Sequence, residues 1–192
     1  MKKSTCILIP ALLLGIAAGF LPACNKQAEQ QAYDKQETNI ASFVEAQRKA
    51  DETAKVTYKD GTVRVILHDT LQRQGLLADT LHAGGTVSFY YAGYTLTGPS
   101  VSSSNLFATN HRRTADAAGW RLSDTTAFNI QTITLDNHLL EGLQRGLEGV
   151  RNQEECFILF SGKHAYGSHA QGTIPARSAL VYHIWVESIS ND

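Results

Sequence analysis

The feature that most constrains the fold of this chain is one short helical segment that carries three glycines. Within residues 138–150 the apolar side chains recur at helical spacing and form a single stripe, made by Leu139, Leu140, Leu143, Leu147 and Val150. Gly142, Gly146 and Gly149 interrupt the same segment. Each glycine costs a helix about 1 kcal/mol relative to alanine. We therefore predict one strong helix whose backbone packs closely against a sheet, near the floor of any pocket beside it.

Runs of β-branched and aromatic residues predict the strands of that sheet. The clearest run follows Gly84-Gly85 and ends at Thr97-Gly98-Pro99. Asp60-Gly61, between two shorter runs, indicates a hairpin with a tight turn. The predicted strands are residues 56–58, 63–67, 86–96, 128–130, 154–160 and 179–189. Cys156 lies in one of them, where a small buried hydrophobic role fits better than that of a nucleophile.

The first 23 residues predict an export signal peptide. Lys2-Lys3 supply the positive start, residues 7–20 form an apolar run, and Leu21-Pro22-Ala23-Cys24 resembles the lipobox of a bacterial lipoprotein. In such proteins the cysteine is lipidated and becomes the new N-terminus. The rival interpretation is an uncleaved membrane anchor, for which the apolar run is short. We expect a protein held in the bacterial cell envelope, at the outer membrane, by lipid on Cys24.

Residues 24–55 are predicted to be a tether that contains a short helix. Residues 25–38 are rich in Gln, Glu and Ala and have almost no large apolar side chains, so they can bury little surface. From Asn39 to Ala50 the apolar residues fall at helical spacing, which predicts a short amphipathic helix. This helix either packs on the folded domain or mediates self-association, and the sequence leaves both open. The domain itself is expected over residues 56–192.

Several function classes find no support in the sequence. The formal net charge is −1, and Arg112-Arg113 is only an isolated pair in a predicted loop, so no nucleic-acid-binding face is expected. The seven histidines lack metal-binding spacing, which argues against a metal site. No serine occupies a nucleophile elbow, and the glycines do not match a phosphate-binding loop.

Three short motifs follow one another in the last third of the chain. They are His164-Ala165-Tyr166-Gly167, Gly172-Thr173-Ile174-Pro175 and Ala179-Leu180-Val181-Tyr182. In this order and spacing they resemble the FKBP family of peptidyl-prolyl isomerases, which carries Ala-Tyr-Gly, Gly-x-Ile-Pro and Leu-Val-aromatic. Upstream, Tyr91-Ala92-Gly93 resembles the family's Tyr-Thr-Gly, and Leu139-Leu140-Glu141-Gly142-Leu143 stands where the family has Val-Ile-x-Gly-Trp. The resemblance covers roughly residues 62–189.

The resemblance implies a fold and an activity. The fold is α+β, an antiparallel sheet wrapped around one short α-helix. The activity is cis–trans isomerisation of the X-Pro bond in exported polypeptides as they fold, without a cofactor. Resonance keeps that bond planar behind a barrier of about 18–20 kcal/mol. A dry apolar cleft disfavours the planar, charge-separated amide relative to the twisted one, which is the differential stabilisation that catalysis requires.

The resemblance also implies roles for particular residues. Tyr166 is expected to donate its hydroxyl to the substrate carbonyl before the proline, and Leu140 its backbone N–H at the start of the helix. The side chains expected to line the substrate pocket are Tyr91, Phe107, Phe128, Leu139, Leu143, Ile174 and Tyr182. Phe89, Tyr90 and Tyr94 are instead expected in the core or on the other face of the sheet.

Three positions depart from the family pattern. Ala108 stands where the family has an aspartate, Leu143 where it has a tryptophan, and Tyr182 where it has a phenylalanine. Two further hypotheses therefore stay open beside the isomerase. One is a chaperone or proline-peptide-binding module that uses the same cleft without turnover. The other is a structural lipoprotein whose long loops, residues 100–124, contact an envelope partner.

Overall fold

The computed structural model describes residues 21–68, 79–121, 123–136 and 138–192. In these residues seven strands form one antiparallel sheet in the order β1-β2-β6-β7-β3-β4, and β5 also pairs with β3. The strands are β1 Lys55–Lys59, β2 Thr62–Leu67, β3 Thr86–Thr95, β4 Leu106–Thr109, β5 Gln131–Thr134, β6 Glu155–Phe160 and β7 Leu180–Ser190. The helices are α1 Leu21–Ala50, α2 Arg112–Ala117 and α3 Glu141–Leu147. The expected antiparallel sheet with few helices is thus confirmed.

The turn between β1 and β2 forms as its sequence predicts. Asp60 and Gly61 have φ values of 44° and 79°, so both residues adopt the left-handed conformation that a two-residue hairpin turn requires. Lys59 consequently pairs with Thr62 on the opposite strand. The Asp-Gly pair fixes the register of this edge of the sheet.

Helix α3 packs on the inner face of the sheet, and its glycines allow the close approach. A Cβ atom at Gly142 would collide with the ring of Phe160, and one at Gly146 with the side chain of Ile158. The prediction of tight helix–sheet packing is confirmed. The helix is shorter than residues 138–150 because Leu140 has a non-helical backbone at its N-cap and Gly149 has a φ of 80° beyond its end.

The N-terminal segment differs most from its prediction. Residues 25–38, predicted to be part of the tether, belong to the continuous helix α1, so the helix is much longer than the predicted residues 39–50. The reason is that Gln, Glu, Lys and Ala are strong helix formers even where they bury little surface. Gln30 donates to Asp34 at 2.8 Å and Tyr33 to Glu29 at 3.1 Å, each across one helical turn. No helix within the described ranges combines the length and apolarity needed to cross a membrane. Residues 1–20 of the predicted signal peptide lie outside the described residues.

The outer face of the sheet packs against the C-terminal half of α1. Ile40, Phe43 and Val44 are each at most 2% exposed, and they pack with side chains of β2, β6 and β7. The ring of Phe43 meets that of Phe157 edge to face at 5.1 Å. Of the two alternatives for this helix, packing on the domain is therefore what the fold shows.

Two local predictions between β4 and β5 are wrong. The strand predicted over residues 128–130 is absent: Phe128 ends a 3₁₀ turn over Thr125–Phe128, in which the carboxylate of Asp124 accepts hydrogen bonds from the backbone and side chain of Thr126 at 2.8 and 2.6 Å. The next strand begins only at Gln131. Arg112 and Arg113, expected in a loop, open helix α2.

Candidate active site

An apolar cavity of about 350 Å³ lies on the inner face of the sheet beside the N-terminus of α3. Strands β3, β4, β5 and β7 form its walls together with the segment between β6 and β7. Its lining residues are Phe89, Tyr91, Phe107, Ala108, Gln131, Ile133, Leu139, Leu143, Tyr166, Ile174 and Tyr182. None of these side chains carries a formal charge, and the three tyrosines supply its hydroxyl groups. The cavity can therefore hold an apolar group and offer hydrogen bonds to a polar group attached to it.

Strand alternation brings the aromatic wall together. Side chains on β3 point alternately to the two faces, so Phe89 and Tyr91 share the inner face with rings 6.1 Å apart. On the same strand, Gly93 has no side chain where the ring of Phe107 lies, and a Cβ there would collide with that ring. Phe107 thereby reaches Tyr182 edge to face at 5.8 Å. The glycine of the Tyr-Ala-Gly motif makes room for the aromatic wall.

A buried asparagine fixes the backbone beneath this wall. Asn110 is 6% exposed and accepts from the backbone N–H of Tyr91 at 2.6 Å. Its amide group donates to the carbonyl oxygens of Phe89 at 3.3 Å and Asn129 at 3.0 Å. Because three chain segments meet on one side chain, the strand that carries two lining residues is held in one position.

The segment that carries Tyr166 and Ile174 closes the cavity on the side of β7. Gly162 accepts from the backbone N–H groups of Ala165 at 3.2 Å and Gly167 at 2.9 Å, which folds the Ala-Tyr-Gly turn tightly. Further on, Gln171 and Ile174 form an isolated bridge, with both backbone hydrogen bonds at 2.9 Å. Ile174 is 5% exposed as a result.

Two hydroxyl groups of the cavity, those of Tyr91 and Tyr182, stay protonated near neutral pH. Burial raises the pKa of Tyr91 and Tyr182, and for Tyr182 the nearby phenols of Tyr166 and Tyr91 raise the pKa further. Within the described residues, none of these three hydroxyls forms a hydrogen bond with another protein group. The Tyr91 and Tyr182 hydroxyls are thus phenol donors rather than proton shuttles near neutral pH.

Comparison with known proteins shows which family this chain belongs to. The family model of the FKBP-type peptidyl-prolyl cis-trans isomerases matches residues 78–187, more than half of the chain. The chain belongs to this family. Its enzyme class is accordingly that of a peptidyl-prolyl cis–trans isomerase, and its substrates are proline-containing polypeptides. No match was found among curated proteins.

Solved structures show the FKBP fold at low sequence identity. A peptidyl-prolyl isomerase from Pseudomonas syringae pv. tomato has a TM-score of 0.55 and 17% identity, covering 85% of this chain and 96% of its own. FkpA from Escherichia coli has 0.52 and 17%, covering 88% and 67%. The N-terminal domain of FKBP42 from Arabidopsis thaliana has 0.52 and 12%, covering 71% and 93%.

Most of the residues expected from the FKBP resemblance do lie around the cavity. Those that line it are Tyr91, Phe107, Leu139, Leu143, Tyr166, Ile174 and Tyr182. Leu140 lies at the N-cap of α3, where its carbonyl accepts from Gln144 and its side chain packs on the inner core. The roles of Tyr166 and of the Leu140 N–H in substrate binding stay predictions.

Phe128 is placed wrongly by the sequence reasoning. It belongs to the 3₁₀ turn before β5, and its ring lies 4.0 Å from the guanidinium carbon of Arg112, away from the cavity. Ile133 and Gln131 on β5 occupy that side of the cavity instead. Phe89 was assigned to the core, and it is buried but also lines the cavity. Its position two residues before Tyr91 was the signal that could have identified it.

Two wider grooves lie on the outer face of the sheet, beside α2. Their volumes are about 670 and 680 Å³, and both include His111, Arg113 and Trp185. Tyr90 and Tyr94 contribute to them, as expected for residues on this face. Charged side chains line these grooves, so they offer a proline ring a wetter and more polar surface than the inner cavity does.

Proposed function

We propose that this chain accelerates the cis–trans exchange of X-Pro bonds in exported polypeptides, and that the reaction takes place in the inner cavity. The observation that carries the proposal is the cavity itself, an uncharged aromatic and aliphatic hollow with a tyrosine at its edge. Its volume of about 350 Å³ is at the lower end for small-ligand sites, and it suits a prolyl ring with one neighbouring side chain.

The chemistry of the reaction needs no nucleophile and no proton transfer. A planar X-Pro amide has a large dipole, which water stabilises and an apolar cavity does not. Rotation by about 90° removes the resonance and much of that dipole, so the cavity favours the twisted state over the planar one. The Tyr166 hydroxyl then holds the carbonyl before the proline, and the Leu140 N–H is a second donor at the start of α3.

The test is an NMR exchange measurement on a short peptide that contains one X-Pro bond. The full chain should accelerate exchange, and Tyr166→Phe should lower kcat/KM about three- to tenfold, the usual cost of one hydrogen bond. The matched control is Tyr58→Phe, since Tyr58 is 74% exposed on β1 and far from the cavity. No acceleration by the wild-type chain would contradict the proposal.

A second candidate function is binding without turnover. The observation that favours it is Ala108, which lines the cavity at the position where the FKBP family has an aspartate. The cavity thus lacks the polar group that helps to organise the family's pocket. Suppressed aggregation of an unfolded client, combined with no effect on peptide exchange, would select this function over catalysis.

The cellular location belongs to the same proposal. Lys2-Lys3, the apolar run and the Leu-Pro-Ala-Cys motif support export and lipidation at Cys24 in the bacterial cell envelope. A mature chain that starts at Cys24 would begin within α1, so a helix rather than a flexible tether would join the lipid to the domain. Cys24→Ser should move the protein from the membrane fraction to the soluble fraction. Equal membrane association of this variant and the wild type would contradict the lipid anchor.

A further inference from the structure

One side chain of α1 reaches the segment that carries the cavity tyrosine. Gln36 lies one turn before Ile40 and two turns before Phe43, so it extends the stripe that packs on the sheet. Its amide nitrogen donates to the carbonyl oxygen of Arg177 at 2.5 Å. Its amide oxygen accepts from the backbone N–H of Gly162 at 2.8 Å. A single amide group of α1 thus bridges Gly162 and Arg177.

Gly162 and Arg177 are the two ends of one functional segment, which we call the 162–177 loop. Tyr166 and Ile174, which line the cavity, lie within it. Its ends meet closely, since a Cβ at Gly162 would collide with the backbone of Arg177. Inside the loop, Arg177 donates to the carbonyl of Gly167 at 2.6 Å, and Gly167 donates to that of Gly162 at 2.9 Å. The bonds to Gln36 therefore join the two ends of the loop to helix α1, which lies outside the loop.

We propose that Gln36 is a positioning residue for the isomerase reaction, because it holds the 162–177 loop and so keeps Tyr166 at the edge of the cavity. This inference rests on the proposed function. Gln36 is half-buried and lies on a helix whose next turns are fixed by fully buried side chains, so it provides a rigid support. Arg177 has a φ of 59°, an uncommon backbone conformation for a residue other than glycine. Such a conformation needs support from its surroundings.

A second contact between α1 and the loop is weaker. The Nε atom of Arg177 lies 3.7 Å from a carboxylate oxygen of Glu29, and these side chains are 47% and 37% exposed. Exposed ion pairs of this kind contribute little, since water screens them. The amide bridge has defined geometry at both of its ends, so we assign the positioning to Gln36.

The first test compares two substitutions in α1 of the full chain. Gln36→Met keeps the length of the side chain and its helix propensity but removes both hydrogen bonds. Gln30→Met is the matched control, because among the described residues the Gln30 side chain bonds only to Asp34, within the same helix. The kcat/KM for peptide exchange should fall about three- to tenfold in Gln36→Met and less than twofold in Gln30→Met. Equal values for Gln36→Met and the wild type would overturn the inference.

The second test asks whether Gln36 acts through Tyr166. In a Tyr166→Phe background the misplaced hydroxyl no longer matters, so Gln36→Met should lower kcat/KM less than twofold there. A general loss of structure would instead lower it by the same factor in both backgrounds, and that result would overturn the inference.

Amide hydrogen exchange separates this inference from the proposed function. The N–H groups of Gly167 and Arg177 bond within the loop and not to Gln36, yet they should exchange at least about fivefold faster in Gln36→Met. The N–H of Ile158, in the centre of the sheet, should not change. An inactive wild-type chain would contradict the proposed function, whereas unchanged exchange at Gly167 and Arg177 would contradict the role of Gln36 even in an active enzyme.

Discussion

The two faces of the sheet are covered by helices in opposite ways. On the outer face, the long helix α1 packs through large side chains, such as Phe43, that are almost completely buried. On the inner face, the short helix α3 packs through Gly142 and Gly146, so its backbone lies close to the strands. Beyond the N-terminus of α3 the same face stays open, and the aromatic side chains of β3, β4 and β7 surround a cavity there.

This difference indicates a division of roles between the faces. Side chains that fill space contribute stability through buried apolar area, at about 25 cal/mol per Å². Side chains that surround an unfilled cavity give up part of that contribution and remain available to a ligand. Substitutions on the outer face should therefore change stability more than activity, and those around the cavity should do the reverse.

The largest expected effect is on the outer face. Phe43→Ala removes a ring that is 1% exposed and contacts Phe157, so it should lower the free energy of unfolding by about 3–5 kcal/mol. Urea denaturation measures this change. The folded fraction should retain its kcat/KM for peptide exchange, because Phe43 does not line the cavity. Loss of activity without loss of stability would break the comparison between the faces.

A smaller effect is expected where α3 meets the sheet. Gly146→Ala should lower the free energy of unfolding by about 1–3 kcal/mol, since the new methyl group collides with the buried Ile158. The collision must outweigh the gain of about 1 kcal/mol in helix propensity. Gly98→Ala is the control, because no atom lies within 4 Å of a Cβ built there. A Gly146→Ala variant as stable as the wild type would show that close packing does not depend on this glycine.

The third expected effect is a pH dependence of stability, which arises on the outer face and leaves the activity of the inner cavity unchanged. On the outer face, burial lowers the pKa of His183 and of His111 below the usual 6.5. In the unfolded protein these histidines therefore bind protons at a higher pH than in the folded protein. The free energy of unfolding consequently falls as the pH drops below about 6.5. Each histidine contributes at most about 1.4 kcal/mol per pH unit.

Two measurements check this pH dependence between pH 7.5 and 5.5. The free energy of unfolding should fall as the pH falls, and His183→Gln should reduce the slope. The kcat/KM of the folded protein should stay nearly constant, since none of the described residues that line the cavity is a carboxylate, histidine or lysine. A slope that is unchanged in His183→Gln would rule out this histidine as a source of the pH dependence.

The sequence predicts the inner face better than the outer one. The glycines of α3 and the Ala-Tyr-Gly and Ile-Pro motifs each specify a local geometry, and each of these geometries is present. Phe128 was misplaced because the Asp124 side chain caps a 3₁₀ turn there, and the pattern of apolar residues that predicts strands does not reveal such a cap. The long helix was missed because its first half is stabilised by propensity rather than by burial. Gln36 was missed because polar contacts between distant segments have no periodic signal.

The central claim is that the proline of the substrate binds on the inner face, although the grooves of the outer face are wider. The most direct test is an NMR titration of the isotope-labelled full chain with the X-Pro peptide. The methyl groups of Leu139, Leu143 and Ile174 should shift and show intermolecular contacts with the prolyl ring, while the indole N–H of Trp185 should not move. Shifts at Trp185 with unchanged inner methyl groups would contradict the account.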